Sequence, residues 1–267
     1  SWWFMVWNLV TSLLLASDVV VLGLLNSVES VTNYTLTKYV PEMMIGVIVI
    51  TVFSIVPGLG GIIGKGDYDK AIRLRNEIMS LIWLVVTALG ATILLWNRAF
   101  LGLWVGADRY SGTLPHLLIV IGVMQLTYIR SDGNIIDLTL RLSRKVLLGL
   151  LSVGISVAAA SFAVGYLKAG IIGLCLGIML GRVILTIGYP MIIGRFLKVD
   201  FWLEIKDMLR PFLVTAVLFG GMALADNALL VNKLLGEPTW ISFFVFAGLT
   251  GLVMLALAFF VGLPANQ

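Results

Sequence analysis

The sequence contains about eight apolar stretches of some 20 residues each, separated by short polar segments. A helix needs roughly 20 apolar residues to cross the ~30 Å hydrocarbon core of a bilayer. In hydrocarbon, a helix satisfies all of its backbone hydrogen bonds within one segment. A transmembrane barrel would instead show alternating segments of about 10 residues. The sequence therefore predicts an all-α integral membrane protein, a polytopic bundle of about eight transmembrane helices.

The composition agrees with lipid as the main environment of the chain. Hydrophobic residues make up 60% of the 267 residues, against about 45–50% in soluble domains.

The second span is expected to end at Pro57 and a glycine-rich turn over residues 58–61. The predicted spans cover residues 3–25, 35–56, 78–96, 114–136, 146–167, 171–193, 211–224 and 240–261.

The basic residues alternate from one connection to the next. Segments 65–75, 130–145 and 195–210 hold 12 of the 18 lysines and arginines, with Lys145 counted in the second connection. Cytoplasmic loops of membrane proteins carry the excess of Lys and Arg. The pattern predicts a multi-pass protein of the inner (plasma) membrane with both ends in the cytoplasm. The basic connections also explain the net charge of +4, so no nucleic-acid partner is expected.

Apart from Arg130 and Asp132 in the polar last turns of the fourth span, four charged side chains fall within predicted spans: Asp18, Lys38, Glu42 and Arg182. Each costs roughly 2.5–3.5 kcal/mol on insertion and requires a partner or a hydrated cavity. Arg182 lies about 16 Å into its span, at 1.5 Å per residue. It either faces a hydrated cavity and binds an anionic group, for which a guanidinium offers paired donors, or forms a buried ion pair with Asp18.

The other charges leave further alternatives open. Asp18 could be a proton or cation site, a gate, or half of a structural pair. Lys38 and Glu42 are spaced i,i+4 and could pair with each other. The polar run from Arg130 through Asp132 predicts either a water-lined inner vestibule or a helix that projects into the cytoplasm. The candidate substrate-cavity residues are thus Arg182, Asp18, Lys38, Glu42, Arg130 and Asp132.

Two patterns predict packing and surface position. Gly173, Gly177 and Gly181 stand four residues apart, a small-residue stripe typical of close helix contacts. Segment 199–210 is amphipathic and predicts a helix in the membrane interface. Cys175 is the only cysteine, which excludes a disulfide within the chain and a thiolate metal cluster, so neither a metal nor a cofactor is expected.

Three stretches carry a family resemblance: residues 18–34, Pro57 with the basic Gly-Asp loop 65–70, and residues 101–106. They resemble the C-terminal half of the MOP exporter superfamily, in its polysaccharide or lipid-linked-oligosaccharide flippase branch. The resemblance implies a six-helix lobe over residues 1–195, an interfacial amphipathic linker over 196–210, and two additional helices over 211–267. It also implies a preceding lobe, so that a chain starting at Ser1 is expected to be the C-terminal part of a longer protein.

The resemblance implies a transport function and not an enzyme. The substrate would be an oligosaccharide on polyprenyl pyrophosphate, flipped across the membrane for cell-surface polysaccharide biosynthesis, with membrane lipid and glycan polymerase and ligase machinery as partners. Cavity cations would bind the pyrophosphate. A cation-coupled small-molecule antiporter is the main alternative and should place acidic residues deep in the cavity. A membrane enzyme acting on lipid-linked sugars should carry a long outer loop, and a purely structural subunit should need Arg182 only for stability.

Overall fold

The computed structural model describes residues 2–138, 142–197, 201–228, 231 and 239–262. Eight helices in these ranges are long and apolar enough to cross a membrane, and the described residues contain no β-strand. The predicted all-α polytopic bundle is confirmed, and the chain is a multi-pass membrane protein. The helices are α1 Trp2–Leu25, α2 Val28–Gly64, α3 Tyr68–Trp104, α4 Thr113–Asp137, α5 Leu142–Ser161, α6 Gly170–Leu197, α7 Phe201–Asn227 and α8 Trp240–Leu257.

A tight turn joins α2 to α3. Gly66 has a φ of +78°, a left-handed conformation that glycine adopts without steric cost. Asp67 follows as the N-cap of α3, and its carboxylate accepts a hydrogen bond of 3.1 Å from the backbone N–H of Lys70. The Gly-Asp dipeptide therefore reverses the chain between two long helices.

The prediction that the second span ends at Pro57 is wrong, because α2 continues through Pro57 and the following glycines to Gly64. Proline removes one backbone hydrogen bond. The helix nevertheless continues for seven residues beyond Pro57. Both α2 and α3 have 37 residues, about 55 Å of helix, and so exceed the hydrocarbon core at one or both ends.

The glycine stripe of α6 forms the contact with α5. A Cβ atom added at Gly177 would lie 2.5 Å from the backbone nitrogen of Ala160, so only glycine permits this approach. Across the same contact, the Ser156 hydroxyl donates to the Ile178 carbonyl at 3.1 Å and the Ser152 hydroxyl donates to the Gly181 carbonyl at 3.0 Å. The packing role predicted for the stripe is thus confirmed.

The last two helices pack on α3. The Thr215 hydroxyl on α7 accepts a 2.9 Å hydrogen bond from the Trp83 indole, and the Trp96 indole donates to Thr250 on α8 at 3.0 Å. Residues 201–210 of the predicted linker form one continuous helix with the seventh span, while residues 198–200 lie outside the described residues. Their position in the membrane interface stays a prediction.

Candidate functional site

Residues of helices α1, α2, α4 and α6 line a partly open cavity that includes the four intramembrane charges Asp18, Lys38, Glu42 and Arg182. Tyr34 adds a hydroxyl to the lining. The cavity has a volume of about 30 Å³, which is room for about two water molecules. Residues separated by up to 164 positions in the sequence (182 minus 18) therefore share one site.

Asp18 is the centre of a hydrogen-bonded group in this cavity. Its Oδ2 accepts from the Lys38 ammonium at 2.5 Å and from the Tyr34 hydroxyl at 2.6 Å. Lys38 also pairs with the Glu42 carboxylate at 2.6 Å, as the i,i+4 spacing predicted. The two carboxylates differ in exposure, since the side chain of Asp18 is 3% exposed and that of Glu42 is 41% exposed.

Arg182 binds backbone carbonyls instead of a carboxylate. Its Nη2 donates to the Leu14 carbonyl of α1 at 2.7 Å, and its Nη1 donates to the Gly122 carbonyl of α4 at 3.4 Å. The residue is 6% exposed, and its Nε–H has no hydrogen-bond partner among the described residues. The alternative of an Asp18–Arg182 ion pair is not found in the described part of the chain, because Lys38 and Tyr34 take the carboxylate.

Apolar side chains also line the cavity. The aliphatic residues here are Ile45, Leu118, Ile119, Val123, Leu126 and Ile178. The lining therefore combines charged and aliphatic groups. Such a site fits a ligand with a charged group attached to an apolar chain.

The remaining two predicted site residues, Arg130 and Asp132, do not line this cavity. Asp132 is buried and pairs with Arg75 of α3, with 3.5 Å between Oδ1 and Nη2. Ser131 is also buried, so this half of α4 packs inside the bundle and does not project from it. Arg130 is half-buried on the same stretch of helix.

Lys145 is a buried cation that the sequence pattern placed in a connection. It lies in α5 and is 1% exposed. Its ammonium donates to the Asp137 carboxylate at 2.6 Å and to the Gly133 carbonyl at 2.9 Å, and it lies 4.0 Å from the centre of the Trp7 ring. These contacts join α5 to α4 and α1.

Sequence reasoning also missed a polar network between α2, α3, α4 and α7. Asp226 accepts hydrogen bonds of 2.8 Å from Tyr110 and from Thr113. The Tyr110 hydroxyl contacts His116 Nδ1 at 3.0 Å, and His116 Nε2 lies 3.2 Å from the Asn97 amide. Burial and the Asp226 carboxylate raise the pKa of Tyr110, so its hydroxyl stays protonated as the donor to Asp226.

Neither metal chemistry nor known relatives add to this geometry. The described residues contain no group of three or more His, Cys, Asp or Glu side chains that could hold a metal ion. No family model, curated protein or solved structure matches the chain. The interpretation of the site therefore depends on the contacts of its own residues.

Proposed function

We propose that the chain is the C-terminal part of a transporter that flips polyprenyl-pyrophosphate-linked oligosaccharide across the plasma membrane for cell-surface polysaccharide synthesis. The eight-helix bundle is compatible with a membrane transporter. The single observation that carries the proposal is Arg182, a buried cation that lines a cavity, lacks a carboxylate partner among the described residues and keeps one donor unused. A guanidinium in that state is suited to a phosphate oxygen.

The mixed lining of the cavity supports a lipid-linked substrate. Lys38 and Arg182 would bind the pyrophosphate, and the aliphatic side chains would contact the first isoprene units. A charged group carried through hydrocarbon needs such compensation, because an unpaired ion in the bilayer is costly. The saccharide would lie in the space between this lobe and the preceding lobe that the family resemblance implies.

A cation-coupled small-molecule antiporter is the second candidate, and the buried Asp18 is the observation that favours it. A cation-binding carboxylate needs free lone pairs directed into the cavity. Asp18 Oδ2 already accepts from Lys38 and Tyr34, and Oδ1 accepts from the backbone N–H of Val19 at 2.8 Å. With three of about four lone-pair positions occupied and a lysine in contact, Asp18 is poorly suited to bind a cationic drug.

The test is the appearance of lipid-linked glycan at the surface of cells that express the complete protein, with protein abundance measured in parallel. Arg182→Ala should abolish export at normal abundance. Arg182→Lys should retain part of it, because the charge remains and the paired donors are lost. The matched control is Arg73→Ala, which removes an exposed arginine near the start of α3 and should leave export unchanged.

Two outcomes would contradict the proposal. If Arg182→Ala lowers abundance and export by the same factor, the arginine only joins helices. If export is normal in Arg182→Ala, the cavity is not on the translocation path. Transport of a small cationic drug that depends on Asp18 would instead support the antiporter.

A further inference from the structure

Lys38 is paired with two carboxylates that are not equivalent. Asp18 lies on another helix, is almost fully buried and is further fixed by the Tyr34 hydroxyl. Glu42 lies one turn along the same helix as Lys38, and its side chain is 41% exposed. Glu42 can therefore leave the ammonium by rotating its own side chain, without any helix movement, whereas Asp18 cannot.

Glu42 holds a contact position of the Lys38 ammonium on the cavity. The carboxylate of Glu42 lies 2.6 Å from the ammonium, at the distance that a phosphate oxygen would take. Asp18 and Glu42 use two of the three N–H donors of Lys38, so an anion that replaces the Glu42 carboxylate finds two donors free.

The charges lead to the same conclusion. Lys38 and Arg182 balance Asp18 and Glu42, so the cluster is neutral when all four groups are ionised. A neutral cluster has no net charge to attract an anion. Once Glu42 turns away, the remaining three charges sum to +1, and two cations face the cavity.

We propose that Glu42 is a resident competitor for the substrate, a carboxylate that occupies the anion position at Lys38 until a pyrophosphate headgroup displaces it. Lys38 and Arg182 then bind the headgroup together, while Asp18 and Tyr34 hold Lys38 in place. The inference rests on the proposed function and names the residue that sets the affinity of the same site. Weak binding in the resting state lets a flipped substrate leave, because Glu42 returns to Lys38.

The experiment measures binding of farnesyl pyrophosphate and of inorganic pyrophosphate to the protein in phosphatidylcholine nanodiscs, whose neutral headgroups do not compete. Glu42→Gln keeps the shape of the side chain and removes its charge. If Glu42 is paired with Lys38 in about nine molecules out of ten, only about one molecule in ten can bind the headgroup. The variant should then bind farnesyl pyrophosphate about tenfold more tightly than wild type. Glu29→Gln, an exposed glutamate near the start of α2, is the matched control and should leave the affinity unchanged.

A third variant separates this inference from the proposed function. In Glu42→Gln/Lys38→Met the gain should disappear, because the released ammonium is absent. Equal affinities for wild type and Glu42→Gln, with binding that still depends on Arg182, would overturn the role of Glu42 and leave the proposed function standing. A gain seen only with the inorganic ion would overturn the assignment to a lipid headgroup. No binding of either probe to any variant would overturn both proposals.

Discussion

Two buried cations on neighbouring helices, Lys145 of α5 and Arg182 of α6, are satisfied in different ways. Lys145 uses a carboxylate, a backbone carbonyl and an aromatic ring, and is 1% exposed. Arg182 donates to two carbonyls, keeps its Nε–H without a partner in the described residues and lines a cavity. The first cation is surrounded by its own partners, whereas the second retains a donor for something else.

The difference separates a structural charge from a functional one. A buried charge with a full set of partners holds helices in place, and removing it leaves those partners unsatisfied. A buried charge with an unused donor beside open space has given up part of its possible stabilisation, which is a pattern typical of binding sites. Substitutions that change stability at one position and binding at the other would test this distinction.

The largest loss of stability is expected for Asp18→Ala. The change removes the buried partner of Lys38 and the acceptor of Tyr34, and breaking a buried pair costs about 3–5 kcal/mol. Thermal unfolding in detergent measures the loss. Glu42→Ala is the matched control, since a partly exposed pair contributes about 0–1 kcal/mol. Similar losses of stability in the two variants would mean that the two carboxylates are equivalent, and would contradict the proposal that Glu42 leaves Lys38 while Asp18 stays.

A smaller loss is expected for Lys145→Met, which keeps the length of the side chain and removes its charge. The Gly133 carbonyl loses its ammonium donor, while Asp137 is partly exposed and can be hydrated. Hydrogen bonds to charged groups contribute about 1.5–3 kcal/mol, so unfolding should become easier by about that amount. The exposed Lys70→Met should change little. A Lys145→Met protein of wild-type stability that fails to bind pyrophosphate would reverse the roles of the two cations.

The smallest loss of stability, about 1–3 kcal/mol, is expected for Gly177→Ala. The added methyl group crowds the contact between α5 and α6, the helices that carry Lys145 and Arg182. The added methyl group pushes α6 from α5 and shifts Arg182 relative to Leu14. Thermal unfolding and farnesyl pyrophosphate affinity should both decrease. Gly220→Ala on α7 is the control, because a Cβ there meets no atom within 4 Å. Equal effects of the two alanines would show that the α5–α6 contact is not tight.

The sequence predicts the fold and the four intramembrane charges for the same reason. Backbone groups and charges in hydrocarbon have so few acceptable arrangements that apolar length and isolated ions are informative. Asp18 and Arg182 were predicted as site residues because each is out of place in a span. The end of α2 was not predicted, because Pro57 and the glycines that follow it usually mark a helix end, whereas here they lie within a continuous helix.

The partners of the charges could not be predicted, because they depend on which helices are neighbours. Whether Asp18 pairs with Lys38 or with Arg182 is decided by the packing of four helices. Lys145 next to a basic connection has the sequence pattern of a loop residue, and only the Trp7 ring on α1 and the Asp137 carboxylate near the end of α4 make it a buried one. The polar network at Asp226 joins residues more than a hundred positions apart.

The most direct test of the central claim is the affinity for farnesyl pyrophosphate of wild type, Arg182→Gln and Lys145→Met, each in phosphatidylcholine nanodiscs and each checked for folding. Losing charge-assisted hydrogen bonds of about 1.5–3 kcal/mol corresponds to roughly 10- to 150-fold weaker binding, which we expect for Arg182→Gln. Lys145→Met should bind like wild type despite its lower stability. Unchanged binding in Arg182→Gln, or equal losses in both variants, would contradict the account.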